Sequence, residues 1–154
     1  ARMNAGLTLE DILAEVKPPA HLSERPYLQA VYDEPDYVIR NIWRLYGGWW
    51  DGRPAHLKPA REAEIGLEVA NLAGGIDALL ARARALAAEG RLELASHLVD
   101  WAAAAAPKNW AVHDVRADVY LARAQNSEAL MTRGIFSEAA RESAIKAGRP
   151  LPEQ

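Results

Sequence analysis

Apolar residues recur every three or four positions along most of this chain, which is the spacing that a helix buries along one side. The best-defined stripe contains Val38, Ile39, Ile42, Trp43 and Tyr46, and it follows a proline that suits a first helical turn. No segment keeps the two-residue alternation of a strand. The pattern therefore predicts an all-α fold.

Start and stop signals divide this pattern into a bundle of about seven helices. Thr8, with Asp11 three positions later, predicts a capped first helix, and Asn109 predicts another cap. Ser127 is expected to cap the last helix, and Gly134 is expected to interrupt it. The predicted helices cover about residues 9–17, 35–46, 59–73, 75–89, 91–106, 109–125 and 127–147.

Proline and alanine are unevenly distributed. Six of the nine prolines lie between Pro18 and Pro59, whereas alanine is concentrated after residue 60. Because proline disfavours helix interiors and alanine favours them, we expect two parts within one domain. These are a proline- and aromatic-rich helical wrap over residues 1–58 and an alanine-rich helical body over residues 59–147.

Small residues in the second part form a weak repeat. Ala83, Gly90, Ala95 and Ala102, followed by Pro107, match the small positions and closing proline of a tetratricopeptide hairpin. The pattern predicts tetratricopeptide-like antiparallel helix pairs, although it covers fewer than two repeats. It leaves a peptide-binding adaptor open as an alternative function.

Composition excludes several classes of protein. With a net charge of −3 and a pI of about 5.8, the chain offers no basic surface for nucleic acid. Its longest apolar run has six residues, far below the roughly 20 needed for a membrane span. The lack of cysteine excludes disulfides and thiol catalysis, and it is compatible with a bacterial cytoplasm, a periplasm or secretion.

The four histidines are too far apart for a recognisable metal motif, because none lies within ten positions of another. We therefore expect no metal ligand and no catalytic residue in this chain. His97 is expected to be partly buried, and His113 is expected to lie on a helix surface.

The segment from Trp43 to Pro54 has the most unusual composition, because three tryptophans and a tyrosine lie within eight positions beside two glycines. Such a cluster fits either an aromatic plug that packs a turn, or a wall for an apolar ligand or partner chain. An autonomous enzyme that uses Asp51, Arg53 and His56 is a further, weaker alternative.

Short blocks along nearly the whole chain occur in a recognisable order. They are Met3–Thr8, Lys17–Pro19, Pro26–Gln29, Leu72–Gly75, His97–Ala102 and Leu130–Phe136. In this order the chain resembles the dimerisation domain of the alkyl sulfatases, which are zinc hydrolases with a metallo-β-lactamase-fold catalytic domain.

The resemblance implies an excised domain that follows its own catalytic domain and joins two subunits into a homodimer. The parent would hydrolyse sulfate esters of fatty alcohols with a binuclear zinc centre, held by a His-x-His-x-Asp-His motif. That motif is missing here. This chain is therefore expected to bind no cofactor and to be inactive alone.

Two sets of site residues follow. The stretch from Tyr46 to Pro54 matches a family block near the catalytic domain, although Trp50 and Arg53 replace the more usual Phe and Asn. The resemblance thus implies substrate-pocket candidates at Tyr46, Trp49, Trp50 and Arg53. Dimer-interface candidates on the apolar helices of 59–125 are Leu98, Trp101 and Trp110.

Overall fold

The computed structural model describes residues 2–150, and these residues form helices and no strand. The all-α prediction is confirmed. The α-helices are α1 (Leu9–Glu15), α2 (Ala20–Ser23), α3 (Pro35–Gly47), α4 (Pro54–Leu57), α5 (Glu62–Ala73), α6 (Ile76–Ala88), α7 (Leu92–Ala105), α8 (Trp110–Gln125) and α9 (Leu130–Lys146). Two 3₁₀ turns lie at Met3–Ala5 and Pro26–Leu28.

All seven predicted helices are present, as α1, α3 and α5 to α9. Helices α2 and α4 were not predicted, because a helix of one turn is too short to show a periodic pattern. The predicted start of α5, at Pro59, is too early. The helix starts at Glu62, where the Glu64 carboxylate accepts a hydrogen bond from the Arg61 backbone N–H at 3.1 Å.

The caps predicted from local sequence are confirmed. The Thr8 hydroxyl accepts from the Asp11 backbone N–H at 3.2 Å, and the Asp11 carboxylate accepts from the Thr8 N–H at 3.1 Å. Hydrogen bonds from Thr8 hold the pKa of the Asp11 carboxyl below its usual value. At the start of α8, the Asn109 side chain accepts from the Ala111 N–H at 3.0 Å.

The start of α9 contradicts the sequence analysis. Ser127 does not cap this helix, because its hydroxyl donates to the Arg123 carbonyl at the end of α8. Instead, the Leu130 and Met131 N–H groups donate to the carbonyls of Val31 and Tyr32 at 2.9 and 3.0 Å. Gly134 lies inside α9 and does not interrupt it.

Contacts divide the described residues into two units, each described separately below. The first unit contains the residues up to Pro59 together with Glu128–Met131, and the second contains Ala60–Ser127 and the residues from Thr132 onward. The buried core lies in the second unit, where α7 packs against α5, α6 and α8. Its fully buried side chains include Val99, Val112, Val115 and Val119.

Small residues allow the helices of the second unit to approach closely. Ala83 in α6 and Ala95 and Ala102 in α7 are completely buried. Helices α6 and α7 are joined by a short turn in which Gly90 has a φ of +77°, so they form an antiparallel pair. The wider tetratricopeptide-like geometry stays a prediction.

Both statements about histidine burial are wrong. His97 is exposed, with its ring 5.9 Å from that of Trp101. His113 is only 3% exposed, because it lies on a side of α8 that is covered in the second unit, where α8 packs against α6 and α7. Its Nε2 lies 2.8 Å from the Pro107 carbonyl oxygen, so this ring nitrogen carries the proton.

Candidate functional site

The aromatic turn lies in the first unit and follows α3. This helix ends at Gly47, and Gly48 continues the chain with a φ of +83°, which a residue with a side chain rarely adopts. Tyr46 and Trp49 are 78% and 75% exposed. Since most of each ring faces solvent, they do not form the packed plug that was one of the two interpretations.

Hydrogen bonds within the turn hold its second half in place. The Trp50 indole N–H donates to the Arg53 carbonyl at 3.1 Å. The Asp51 carboxylate accepts from the Arg53 backbone N–H at 3.0 Å, and its other oxygen lies 2.5 Å from Nδ1 of His56. These hydrogen bonds, that from Arg53 first, lower the pKa of the Asp51 carboxyl, so it is ionised at neutral pH.

The turn therefore brings Asp51 and His56 together, as the weaker enzyme hypothesis requires. The Arg53 guanidinium, in contrast, forms an ion pair with Glu10 in α1. The Arg53 side chain and the His56 ring are both about half exposed. A solvated pair of this kind has no means to exclude water, which catalytic groups usually require.

The three dimer-interface candidates differ in exposure. Leu98 and Trp101 lie in α7 and are half-buried, and Leu98 packs against the core of the second unit. Trp110 begins α8 and is 65% exposed. Trp110 is therefore the candidate with the largest surface available to a partner.

One exposed surface, which the sequence did not predict, lies on α3. Ile39 and Trp43 are half-buried on this helix, which packs against α1. The rest of its apolar side is exposed. We call these residues the α3 stripe: Val38, Ile42, Leu45 and Tyr46. The apolar periodicity of α3 indicated an apolar face, but it did not indicate which part of that face α1 covers.

An apolar groove of about 510 Å³ adjoins the α3 stripe in the first unit. Val38 belongs to both the stripe and the groove. The other apolar lining residues are Val16, Pro18, Pro19, Leu28, Ala30, Pro35 and Ile39, and the charged ones are Lys17, Asp33 and Glu34. The first unit thus offers a continuous apolar surface with a polar edge.

Residues 2–150 contain neither a metal-binding cluster nor a helix that could cross a membrane. Within this range, no three histidine, cysteine, aspartate or glutamate side chains are grouped so that they could hold a metal ion. The helices of the same range are too short or too polar to cross a bilayer.

Comparison with known proteins identifies relatives of this chain. A family model for alkyl sulfatase dimerisation matches residues 8–145. The (R)-specific secondary-alkylsulfatase of Pseudomonas sp. is 33% identical over 141 residues, which are 91% of this chain and 21% of that protein. A linear primary-alkylsulfatase of Pseudomonas sp. is 35% identical over 101 residues, which are 65% of this chain and 19% of that protein.

A solved structure of an alkylsulfatase also matches this chain. The stereoselective inverting sec-alkylsulfatase of Pseudomonas sp. matches with a TM-score of 0.86 and 32% identity, over 96% of this chain and 23% of that one. The chain thus spans about a fifth of the length of the curated relatives it matches. From the extent of the family match, the chain belongs to the alkyl sulfatase dimerisation family.

Proposed function

We propose that this chain joins two subunits of a longer alkylsulfatase-type enzyme by binding a second copy of itself. The observation that carries the proposal is the exposure of large apolar side chains, such as Trp110 in the second unit and Leu45 in the first, which are 65% and 74% exposed. Extended apolar surface on a folded chain marks interaction sites. Membership of the dimerisation family favours a second copy over the peptide ligand of an adaptor.

A pair of identical chains would meet across a two-fold axis, so that the same residues of both chains contribute. We propose that the helices between residues 59 and 125 take part, with Trp110 as the main anchor. Its exposure and its large amphipathic ring support this role. Leu98 and Trp101 would contribute through the parts of their side chains that are still exposed.

The parent of this domain is proposed to be a sulfuric ester hydrolase with a metallo-β-lactamase-fold catalytic domain, to which this chain would also bind. Its binuclear zinc centre would activate water when bound. The residues described here do not fit such a centre, because they lack a cluster of three suitable side chains. The zinc ligands would therefore belong to the catalytic domain.

The aromatic turn is proposed to line the substrate pocket of that parent enzyme. The exposed rings of Tyr46 and Trp49 offer apolar faces for an alkyl chain, and Trp50 is partly exposed beside them. Arg53 supplies a guanidinium at the same turn. Because this guanidinium pairs with Glu10, it would have to exchange that carboxylate for a sulfate before it could bind substrate.

Dimerisation is tested by sedimentation velocity on the 154-residue chain over a concentration series. The expected result is a species of twice the 16.9 kDa chain mass that dissociates on dilution. Trp110→Ala should weaken the dimer by about tenfold or more, as expected for a central aromatic anchor. A monomer at all concentrations up to about 100 µM, where weak but specific pairs still associate, would refute the proposal.

The pocket proposal is tested in the full-length enzyme with alkyl sulfates of increasing chain length. Tyr46→Ala should raise KM more for long chains than for short ones, because only long chains reach the ring. Tyr27→Ala is a matched control, since Tyr27 is similarly exposed but lies outside the turn. Equal kinetics for the two variants would refute the role of Tyr46.

A further inference from the structure

The second half of the aromatic turn joins an aromatic ring to a set of charged side chains. The indole N–H of Trp50 donates to the Arg53 carbonyl, and the Arg53 backbone N–H donates to the Asp51 carboxylate. The other oxygen of Asp51 lies 2.5 Å from Nδ1 of His56. These hydrogen bonds restrain the His56 ring relative to Trp50, whose indole is 41% exposed. An apolar surface and an imidazole are therefore held within one short turn.

Asp51 orients the His56 ring. Because the Asp51 carboxyl is ionised at neutral pH, it can only accept a hydrogen bond, and Nδ1 of His56 must carry the proton between them. The two nitrogens of an imidazole point in different directions, so Nε2 is directed away from this carboxylate. The His56 side chain is 53% exposed. Nε2 is therefore the ring nitrogen that is left for a ligand.

The Arg53 guanidinium is less available to an anion than the His56 ring. It forms an ion pair with Glu10 in α1, so an anionic ligand would first have to displace this carboxylate. An anion that bound Nε2 of His56 would break no ion pair, because Asp51 contacts the other ring nitrogen. Of the two side chains of this turn that can carry a positive charge, His56 is therefore the one that is ready to bind an anion.

Protonation of His56 changes the net charge at this turn. We call Glu10, Asp51, Arg53 and His56 the charged cluster, since each of these residues contacts another one of them. The cluster is neutral overall when the imidazole is protonated, and it carries one net negative charge when the imidazole is neutral. Lys58, two positions after His56, keeps its positive charge in both cases. A protonated His56 thus supplies a donor at Nε2 and removes a charge that would repel an anion.

We propose that protonated His56 binds the sulfate group of an alkyl sulfate in the parent enzyme, through a hydrogen bond from Nε2–H to a sulfate oxygen. The exposed rings of Tyr46 and Trp49 then contact the alkyl chain of the same molecule. This inference rests on the proposed substrate pocket and assigns its contact with the head group. The role of His56 is binding, and Asp51 is a positioning residue because it acts through the imidazole.

The first test uses two substitutions of His56 in the full-length enzyme. The amide N–H of asparagine reaches the position of Nδ1, so His56→Asn keeps the bond to Asp51 and removes Nε2. The amide of glutamine reaches the position of Nε2, so His56→Gln keeps a donor for sulfate and loses the bond to Asp51. His56→Asn should raise the inhibition constant of inorganic sulfate by about tenfold or more, and His56→Gln should raise it less. A purely structural role of His56 predicts the opposite order and would overturn the proposal.

The second test separates the head group from the alkyl chain. Decanol carries an alkyl chain without a sulfate, so His56→Asn should leave its inhibition constant unchanged. Tyr46→Ala should do the reverse, raising the constant of decanol and not that of inorganic sulfate. His21→Asn is the matched control and should change neither constant, since His21 is exposed and lies in α2, outside the turn. An equal rise of both constants in His56→Asn would contradict a specific contact with sulfate.

The third test is the pH dependence of sulfate inhibition. Inorganic sulfate stays ionised between about pH 6 and pH 8, whereas histidine side chains lose their proton in this range. The inhibition constant of sulfate should therefore rise with pH in the wild type. The rise should be smaller in His56→Asn, which cannot be protonated and which shares all other titrating groups with the wild type. Parallel pH profiles of the two proteins would contradict a protonated His56 as the sulfate ligand.

The outcomes separate this inference from the pocket on which it rests. If neither Tyr46→Ala nor His56→Asn changes the inhibition constant of decanol or of inorganic sulfate, the pocket and the inference are both refuted. If Tyr46→Ala raises the constant of decanol and His56→Asn leaves that of sulfate unchanged, only the contact between His56 and sulfate is refuted.

Discussion

Gly66 in α5 lies directly against the backbone carbonyl of Trp101 in α7. A Cβ atom at position 66 would overlap this carbonyl oxygen. Glycine in the middle of a helix costs about 0.5–1 kcal/mol relative to alanine. Here that cost is offset by the close packing of two helix backbones in the core of the second unit.

Gly66→Ala should therefore destabilise the chain, by about 1–3 kcal/mol, because the added methyl group must push the two helices apart. The measurement is urea-induced unfolding followed by circular dichroism. Gly134→Ala is the matched control, since Gly134 lies inside α9 and its Cβ would point into open space. This control should gain about 0.5–1 kcal/mol. A similar change in both variants would contradict the close approach.

Tyr120 makes the unfolding free energy depend on pH in the alkaline range. Burial, followed by the hydrogen bond that its hydroxyl donates to Asp100 at 2.6 Å, raises the pKa of Tyr120 to about 12. In the unfolded chain this pKa is close to 10. The folded state thus keeps a proton that the unfolded state releases, and the resulting stability is lost as pH rises from about 10 to 12.

We expect the wild-type free energy of unfolding to fall between pH 10 and 12, with a contribution from Tyr120 of at most about 1.4 kcal/mol per pH unit. Tyr120→Phe should lack this contribution but keep that of the other titrating groups. Urea unfolding of both proteins from pH 8 to pH 11.5 measures the difference. Parallel pH profiles for the two proteins would show that Tyr120 ionises normally.

His113 should be sensitive to the type of substitution. Its buried Nε2–H donates to the Pro107 carbonyl at 2.8 Å, and its buried Nδ1 has no hydrogen-bond partner within the described part of the chain. His113→Ala removes a buried ring and leaves this carbonyl unpaired, so it should cost about 2–4 kcal/mol. His113→Gln can keep a donor near Pro107 and should cost less. Thermal unfolding of both variants tests this order.

Arg149 ties the end of the described chain to α8. Its guanidinium donates to Asp114 at 2.6 Å and to Asp118 at 2.7 Å, and these two aspartates are one helical turn apart. Arg149→Gln should therefore lower the free energy of unfolding, by at most about 1 kcal/mol because the ion pairs are partly exposed.

Arg141→Gln is the control for Arg149, since Arg141 pairs with Glu138 within one turn of α9, where both side chains are about half exposed. It should change stability little. Melting temperatures at low and high salt measure both effects, and only the effect of Arg149→Gln should decrease noticeably with salt. Equal effects of the two substitutions would indicate that the contact with α8 adds nothing.

Local signals in the sequence predicted most helix boundaries. Thr8 with Asp11, and Asn109, cap their helices as expected, because each cap joins residues two or three positions apart. The start of α9 could not be predicted in this way. Its first N–H groups bond to carbonyls of Val31 and Tyr32, about a hundred positions earlier in the chain. Given those partners, the helix does not need Ser127 as its cap.

The candidate surfaces also differ in whether local sequence predicted them. The aromatic turn was recognisable from composition and from its resemblance to a family block. The exposure of Ile42 and Leu45 was not, because the periodicity of α3 predicts the whole apolar face and not the part that α1 leaves open. The predicted burial of His97 and exposure of His113 were wrong for a related reason, since the burial of a side chain depends on how many neighbours surround its helix.

Periodicity, capping residues and the order of short motifs were enough to identify the helical class, the main helices and the family. Which apolar side chains are buried in this chain, and which stay exposed to a partner, became clear only from the packing of its helices. Burial depends on contacts between segments far apart along the chain. A pattern with a period of three or four residues carries no information about those contacts.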